Sequence, residues 1–258
     1  MTSRMRTATA MAFRDQRRRP LVLILLVVVP AYVITRSIAI TQATPRQIAL
    51  PGGVQITTTM RDLHGAVMAG TAIAFVAALV GLFVMQAALQ GDRRLVVAGF
   101  RAGETIAARL AVLIAATALV VAVSAIATAL SFTPAAWSPL LVAYALTGLI
   151  YAAIGALMGV VLEKLAATYL VLFLVMTDIG IVQNPMFGNG TPGRWAVLLP
   201  AYGPSRMMID GAFSTSFHTG RALLVGAAWL VILTLTVNVV LRRSIGTRLR
   251  PAAGSAHG

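Results

Sequence analysis

The stretch that decides the fold is GAVMAGTAIAFVAALVGLFVMQAAL, residues 65–89, in which no side chain carries a charge. A helix needs about 20 mostly apolar residues to cross the hydrocarbon of a bilayer, and this run supplies them. Five more runs of the same character lie near Leu21–Ile40, Leu110–Leu130, Leu140–Leu162, Leu165–Gln183 and Ala222–Leu241. Composition agrees with them. The chain is 59% hydrophobic and 11% charged, with mean hydropathy +0.87, where a soluble domain carries roughly 25% charged residues. The runs consume most of the 258 residues and leave no sizeable soluble domain. The expected fold is an all-α integral membrane protein, a six-helix bundle over residues 20–241. The first run follows Arg17, Arg18 and Arg19, as the core of a signal peptide would. Its length, and Arg36 just before a possible Ser37–Ala39 cleavage motif, favour an uncleaved span.

Orientation follows from the basic residues, because Lys and Arg gather on the cytoplasmic side. Fifteen fall in the N-terminal segment, after the second and fourth runs, and in the tail from Arg242; six fall on the other side. Both termini are therefore expected in the cytoplasm, with an even number of spans. The net charge of +14 would point to nucleic acid in a soluble protein. Its distribution favours membrane topology here, and no nucleic-acid partner is expected. The chain has no Cys, which excludes disulfides, thiolate metal sites and Cys nucleophiles. His64, His218 and His257 are too scattered to suggest a metal site. The Ala, Val and Arg bias, with Lys164 the sole Lys, hints at a GC-rich bacterial genome and hence a bacterial cell membrane.

Segments between the runs carry the remaining information. In residues 1–19, Met5, Ala8, Ala12 and Phe13 recur at helical spacing opposite Arg6, Arg14 and Arg17. That pattern reads as an amphipathic helix on the cytoplasmic lipid surface, its basic side chains meeting anionic headgroups. The connection 91–109 contains Asp92, Arg93, Arg94, Leu95, Gly99, Phe100, Arg101 and Glu104. Its apolar Leu95, Val96, Val97 and Phe100 sit in a segment otherwise facing water. Gly99 and Gly103 permit sharp turns, and Glu104 suits the start of the next helix. The segment reads either as a rigid projection for a partner's cleft or as an ordinary positive-inside loop.

Gly148, Ala152, Gly155 and Gly159 are spaced 4, 3 and 4 apart, on one face of the fourth span. Such a face lets membrane helices approach closely. Packing within the bundle is favoured over a subunit interface. The external segment 184–221 is too long for a simple hairpin. Asn184-Pro185 should end the fifth span. Ser205 could cap a short helix that Gly211 ends, and Trp195 and Tyr202 suit an interface, so the segment is expected to lie on or dip into the outer leaflet. Asn189-Gly190-Thr191 matches a glycosylation sequon, but turn chemistry accounts for it. Asp178 is the one plausible intramembrane acid. About five residues before Gln183, it is expected toward the outer leaflet, paired with Arg206, Thr177 or freed backbone donors. Arg206 could equally pair with Asp210.

Taken in order, the basic N-terminal helix, the six runs, Asp92-Arg-Arg-Leu-Val-Val-Ala-Gly-Phe-Arg101, Thr177-Asp-Ile-Gly-Ile-Val-Gln-Asn-Pro-Met-Phe187 and Leu199-Pro-Ala-Tyr-Gly-Pro-Ser-Arg206 resemble the permease subunits of ABC-2 type ABC transporters. The last two motifs resemble actinobacterial members. The resemblance implies a coupling helix after the second span that docks on an ATPase, and re-entrant helices before the sixth. It also implies two permease subunits, identical or homologous, and transport outward. Asp178, Pro200, Tyr202 and Arg206 are then gating or structural residues. The chain has no Gly-x-x-x-x-Gly-Lys-[Ser/Thr], so ATP is expected on a separate subunit. No catalytic, cofactor or metal residue is assigned. The expected function is ATP-driven export of an amphipathic or lipidic compound. The alternative is a secondary transporter or channel, which often carries ionisable groups or broken helices at mid-membrane. A membrane enzyme is disfavoured by the lack of a His/acid cluster, a Gly-x-Ser-x-Gly elbow or a metal motif.

Overall fold

The computed structural model describes residues 20–51, 53–97, 102–187 and 192–246, with positions 10, 11 and 14. The expected N-terminal helix over 1–19 and the tail beyond 246 lie almost wholly outside the described residues. The chain runs through α1 (Pro20–Ile40), strands β1 (Pro45–Ala49) and β2 (Gln55–Thr59), α2 (Met60–Val97), α3 (Ala102–Ala129), α4 (Trp137–Val161) and α5 (Lys164–Val175). A wider π-helical segment, Met176–Val182, prolongs α5, and a 3-10 turn follows at Arg194–Leu198. The last two helices are α6 (Tyr202–Phe213) and α7 (Gly220–Gly246).

Five helices are long and apolar enough to cross a membrane: Met60–Ala87, Thr105–Ala129, Trp137–Val161, Lys164–Val182 and Gly220–Ser244. They coincide with five of the six expected spans and fit a multi-pass membrane protein. The first expected span is also helical, over 21 residues with Pro30 inside it. Its described apolar stretch, Ile24–Ile40, is shorter than the other five.

The core is a sandwich of α2 and α4, which run in the same direction and form the most extensive helix pair. The small-residue face of α4 explains how they approach. A Cβ at Gly155 would run into the carbonyl of Ala78, and one at Gly159 into that of Leu82. From the other side, a Cβ at Gly81 would meet the carbonyl of Ala152. Gly148 faces the Thr117 side chain of α3 and Ile73 of α2. The stripe is thus consumed inside the chain, where backbone-to-backbone dispersion replaces side-chain interdigitation. α1 covers α2 and α3, burying Leu26, Ile34 and Ile38. Much of α5 and α7 is left facing outward.

Three local readings are corrected. Residues 45–59 form an antiparallel hairpin, Ile48 opposite Ile56, that was not expected. Its turn closes through Leu50 N–H to Val54 O (2.8 Å), with Gly53 at φ 84°, a conformation that favours glycine. The connection after the second span does not begin at Gly91, because α2 continues as helix to Val97, and Gly103 already lies within α3. Gly costs only about 1 kcal/mol inside a helix, which the flanking residues absorb. Finally, Ser205 does not cap the short helix. It sits inside α6, whose N-cap is Ala201, and Gly211 does not end it. Gly211 instead brings α6 against the backbone of Leu140, 2.6 Å from where its Cβ would stand.

The hairpin packs on the start of α2 and on α6 through Ile48, Leu50, Leu63, Val67 and Ile209. This end of the bundle also holds the turn between α3 and α4, Met186 and the residues that join α6 to α7. The opposite end holds the end of α2 at Val97, the start of α3 at Ala102, the turn at Leu162–Glu163, and the end of α7. Successive long helices alternate in direction, so Pro20 and Gly246 share that opposite end.

Candidate functional site

Among the described residues of the long helices, the one deeply buried carboxylate is Asp178, 1% exposed. α5 brings it there. Val171, Val175 and Ile179 form the buried face of α5 and its π-helical continuation, and Asp178 falls beside them. The wider turn, closed by Gln183 N–H to Asp178 O (2.9 Å), ends at Val182, well short of the hairpin end. The segment before α6 fills the space so left. Leu199-Pro200-Ala201 turns tightly, with Tyr202 N–H donating to Leu199 O at 3.2 Å. Pro200 suits that turn because its ring presets φ. The turn aims the N-terminus of α6 inward.

Three donors then converge on Asp178. The Tyr151 hydroxyl of α4 donates to Asp178 Oδ2 at 2.7 Å. The Ala201 N–H, at the N-cap of α6, donates to the same oxygen at 3.0 Å. Gln183 Nε2 reaches Oδ1 at 3.5 Å and donates to Ala196 O at 3.1 Å. All are donors, and the α6 N-terminus adds the positive end of a helix dipole. A carboxylate in an apolar interior is costly unless so provided for. Gln183 Oε1, also buried, has no hydrogen-bond partner among the described residues.

Asp178 meets α4 near its middle: Tyr151 is about 15 Å along the helix from Val161 and about 21 Å from Trp137. The expectation of a position toward one end took the end of α5 for the end of the bundle. Arg206 is also not the partner of Asp178. It is half-buried on α6 and feels the charge of Asp210 in its own helix. Thr177, the other side-chain candidate, makes none of the bonds to Asp178. The backbone donor that reaches Asp178 comes from Ala201.

A second carboxylate anchors the other end of α6. Asp210 Oδ2 accepts the His218 N–H at 2.9 Å and the Thr219 hydroxyl at 3.1 Å, at the start of α7. Its Oδ1 lies 3.5 Å from His218 Nδ1. Two backbone bonds tie the same end to the residues before α4: Ala136 N–H to Gly211 O at 2.8 Å and Ala135 N–H to Ala212 O at 3.0 Å. Tyr202, half-buried, opens α6.

The expected coupling residues form no cluster with these. Asp92, Arg93, Arg94 and Leu95 lie on the helical continuation of α2, and Glu104 on the first turn of α3. Gly99, Phe100 and Arg101 lie outside the described residues. Sequence reading missed Tyr151 and Gln183. Tyr151 stands three residues after Gly148 and four before Gly155, on the same packed face, so a buried phenol needing a partner was legible there. Comparison with protein-family models finds no match to the chain, and comparison with curated proteins finds none either.

Proposed function

We propose that the chain is the membrane-spanning permease subunit of an ATP-binding cassette exporter of the ABC-2 type. In this reading α1 is a sixth span, the hairpin end is external, and both termini are cytoplasmic. The length of α2 carries the proposal. Its 38 residues measure about 57 Å, against a hydrocarbon core of about 30 Å. The apolar part stops at Ala87. What remains continues as rigid helix on the basic side and carries Asp92, Arg93, Arg94 and Leu95. A stiff rod held backbone-to-backbone against α4 transmits a push from that side far better than a flexible loop. The re-entrant pair Arg194–Leu198 and α6, closing the external end, also supports the reading.

A separate ATPase subunit binds ATP and presses on residues 91–109. A second permease subunit, identical or homologous, completes the path. The cargo is amphipathic or lipidic, and the membrane is that of a bacterial cell. Phe100→Asp tests the coupling, since a charge in a partly apolar contact should uncouple ATP hydrolysis from transport while membrane insertion survives. Normal transport by that variant, with its ATPase still bound, rules the coupling role out.

One observation favours the second reading, a secondary transporter. Asp178 lies near the midpoint of α4, beneath the N-terminus of a half-length helix. Broken helices at mid-membrane build the ion and substrate sites of such carriers. Complete loss of transport in a well-expressed Asp178→Asn protein decides for that reading.

A further inference from the structure

We propose that α6 is a hinged plug whose release point is the Asp178 carboxylate: it swings about its outer end when the bond from Ala201 opens, admitting water to the middle of the bundle. This rests on reading the chain as a transport path.

The two ends of α6 are held by different means. At the outer end two backbone hydrogen bonds join Gly211 and Ala212 to Ala135 and Ala136, and Asp210 binds the first residues before α7. Those bonds survive a rotation of the helix about that end. At the inner end Gly203 lies directly on the backbone of α7 at Ala222 and Gly226, so α6 and α7 move together there. Among the described residues, the polar tie from the inner end to α4 and α5 is a single side chain. Asp178 binds Tyr151 of α4 with the same oxygen that binds Ala201. Through Gln183 it also holds Ala196 of the 3-10 turn.

The closed arrangement is poised. Gln183 is 5% exposed and its Oε1 is buried, yet no described group donates to it. A buried acceptor without a donor is expensive, and water would satisfy it. Moving α6 away removes one of the donors of Asp178 together with the α6 dipole, and only water can replace them in this apolar setting. Opening and wetting are therefore one event, and closing α6 dries the site again.

The chain has no native Cys, so one introduced thiol reports alone. Ala201→Cys keeps the backbone N–H and places a thiol on the inner end of α6, where Ala201 is fully buried. Its labelling by a membrane-impermeant maleimide, applied from the hairpin side, is compared with that of Phe217→Cys, at an exposed position. Adding Tyr151→Phe, which keeps the ring, should raise the labelling of the 201 thiol about fivefold, and Asp178→Asn about tenfold or more. Labelling at 217 should not change. Equal labelling of the 201 thiol with and without Tyr151→Phe and Asp178→Asn, with normal labelling at 217, overturns the proposal. The assay needs neither cargo nor ATPase, so its failure is distinct from failure of the permease reading.

Discussion

At the scale of single residues, Asp178 determines how the middle of the bundle holds together. It gathers α4, α5 and the inner end of α6 on two oxygen atoms. Asp178→Asn keeps one accepting oxygen but loses the charge that draws in the donors, so it should express normally and keep much of the transport while its plug opens more readily. Asp178→Leu leaves the Tyr151 hydroxyl and the Ala201 N–H without an acceptor, at about 1–3 kcal/mol each. Expression and the midpoint of thermal unfolding in detergent should both fall. Normal stability of the Leu protein would mean the cluster holds nothing. The sequence showed Asp178 as the one plausible intramembrane acid and left Arg206, Thr177 and freed backbone donors open as its partners. Arg206 was the cation of the short helix that follows, whereas the donors come from Tyr151, 27 residues away, and from the backbone N–H of Ala201.

Among elements, the α2–α4 pair sets the architecture. Gly155→Ala would force a methyl onto the carbonyl of Ala78, a backbone atom that cannot step aside. It should destabilise the protein by about 1–3 kcal/mol. Gly148→Ala meets the Thr117 side chain, which can rotate, and should cost less. Thermal midpoints of the two purified variants give the order, and a Gly155→Ala protein as stable as the parent contradicts the close crossing. The spans were legible because apolar length is a strong pattern. The hairpin at 45–59 was missed, although Pro51-Gly52-Gly53 between Gln47-Ile48-Ala49-Leu50 and Gln55-Ile56-Thr57 is a turn between two strand-like runs. The inward course of 194–213 was anticipated in outline from Trp195, Tyr202 and its length. Its depth was not, because depth follows from where α5 stops. That stop is set by a π-helical turn, and sequence periodicity does not display it.

For the whole molecule, the account joins three parts: a rigid α2–α4 pair, a basic extension at one end and a hinged plug at the other. The basic residues predict cytoplasmic termini, so a reporter fused after Gly258 should be active only in its cytoplasmic form. Activity of an exported reporter at that position would invert the assignment of the two ends. The central claim is that a separate ATPase drives this machine through the α2 extension. Purification of the tagged chain from its native membrane, followed by an assay of ATP hydrolysis, tests it most directly. The account predicts that a nucleotide-binding subunit without membrane spans copurifies with the chain and hydrolyses ATP. A chain that purifies free of any ATPase, and moves cargo in vesicles on an ion gradient alone, would contradict it.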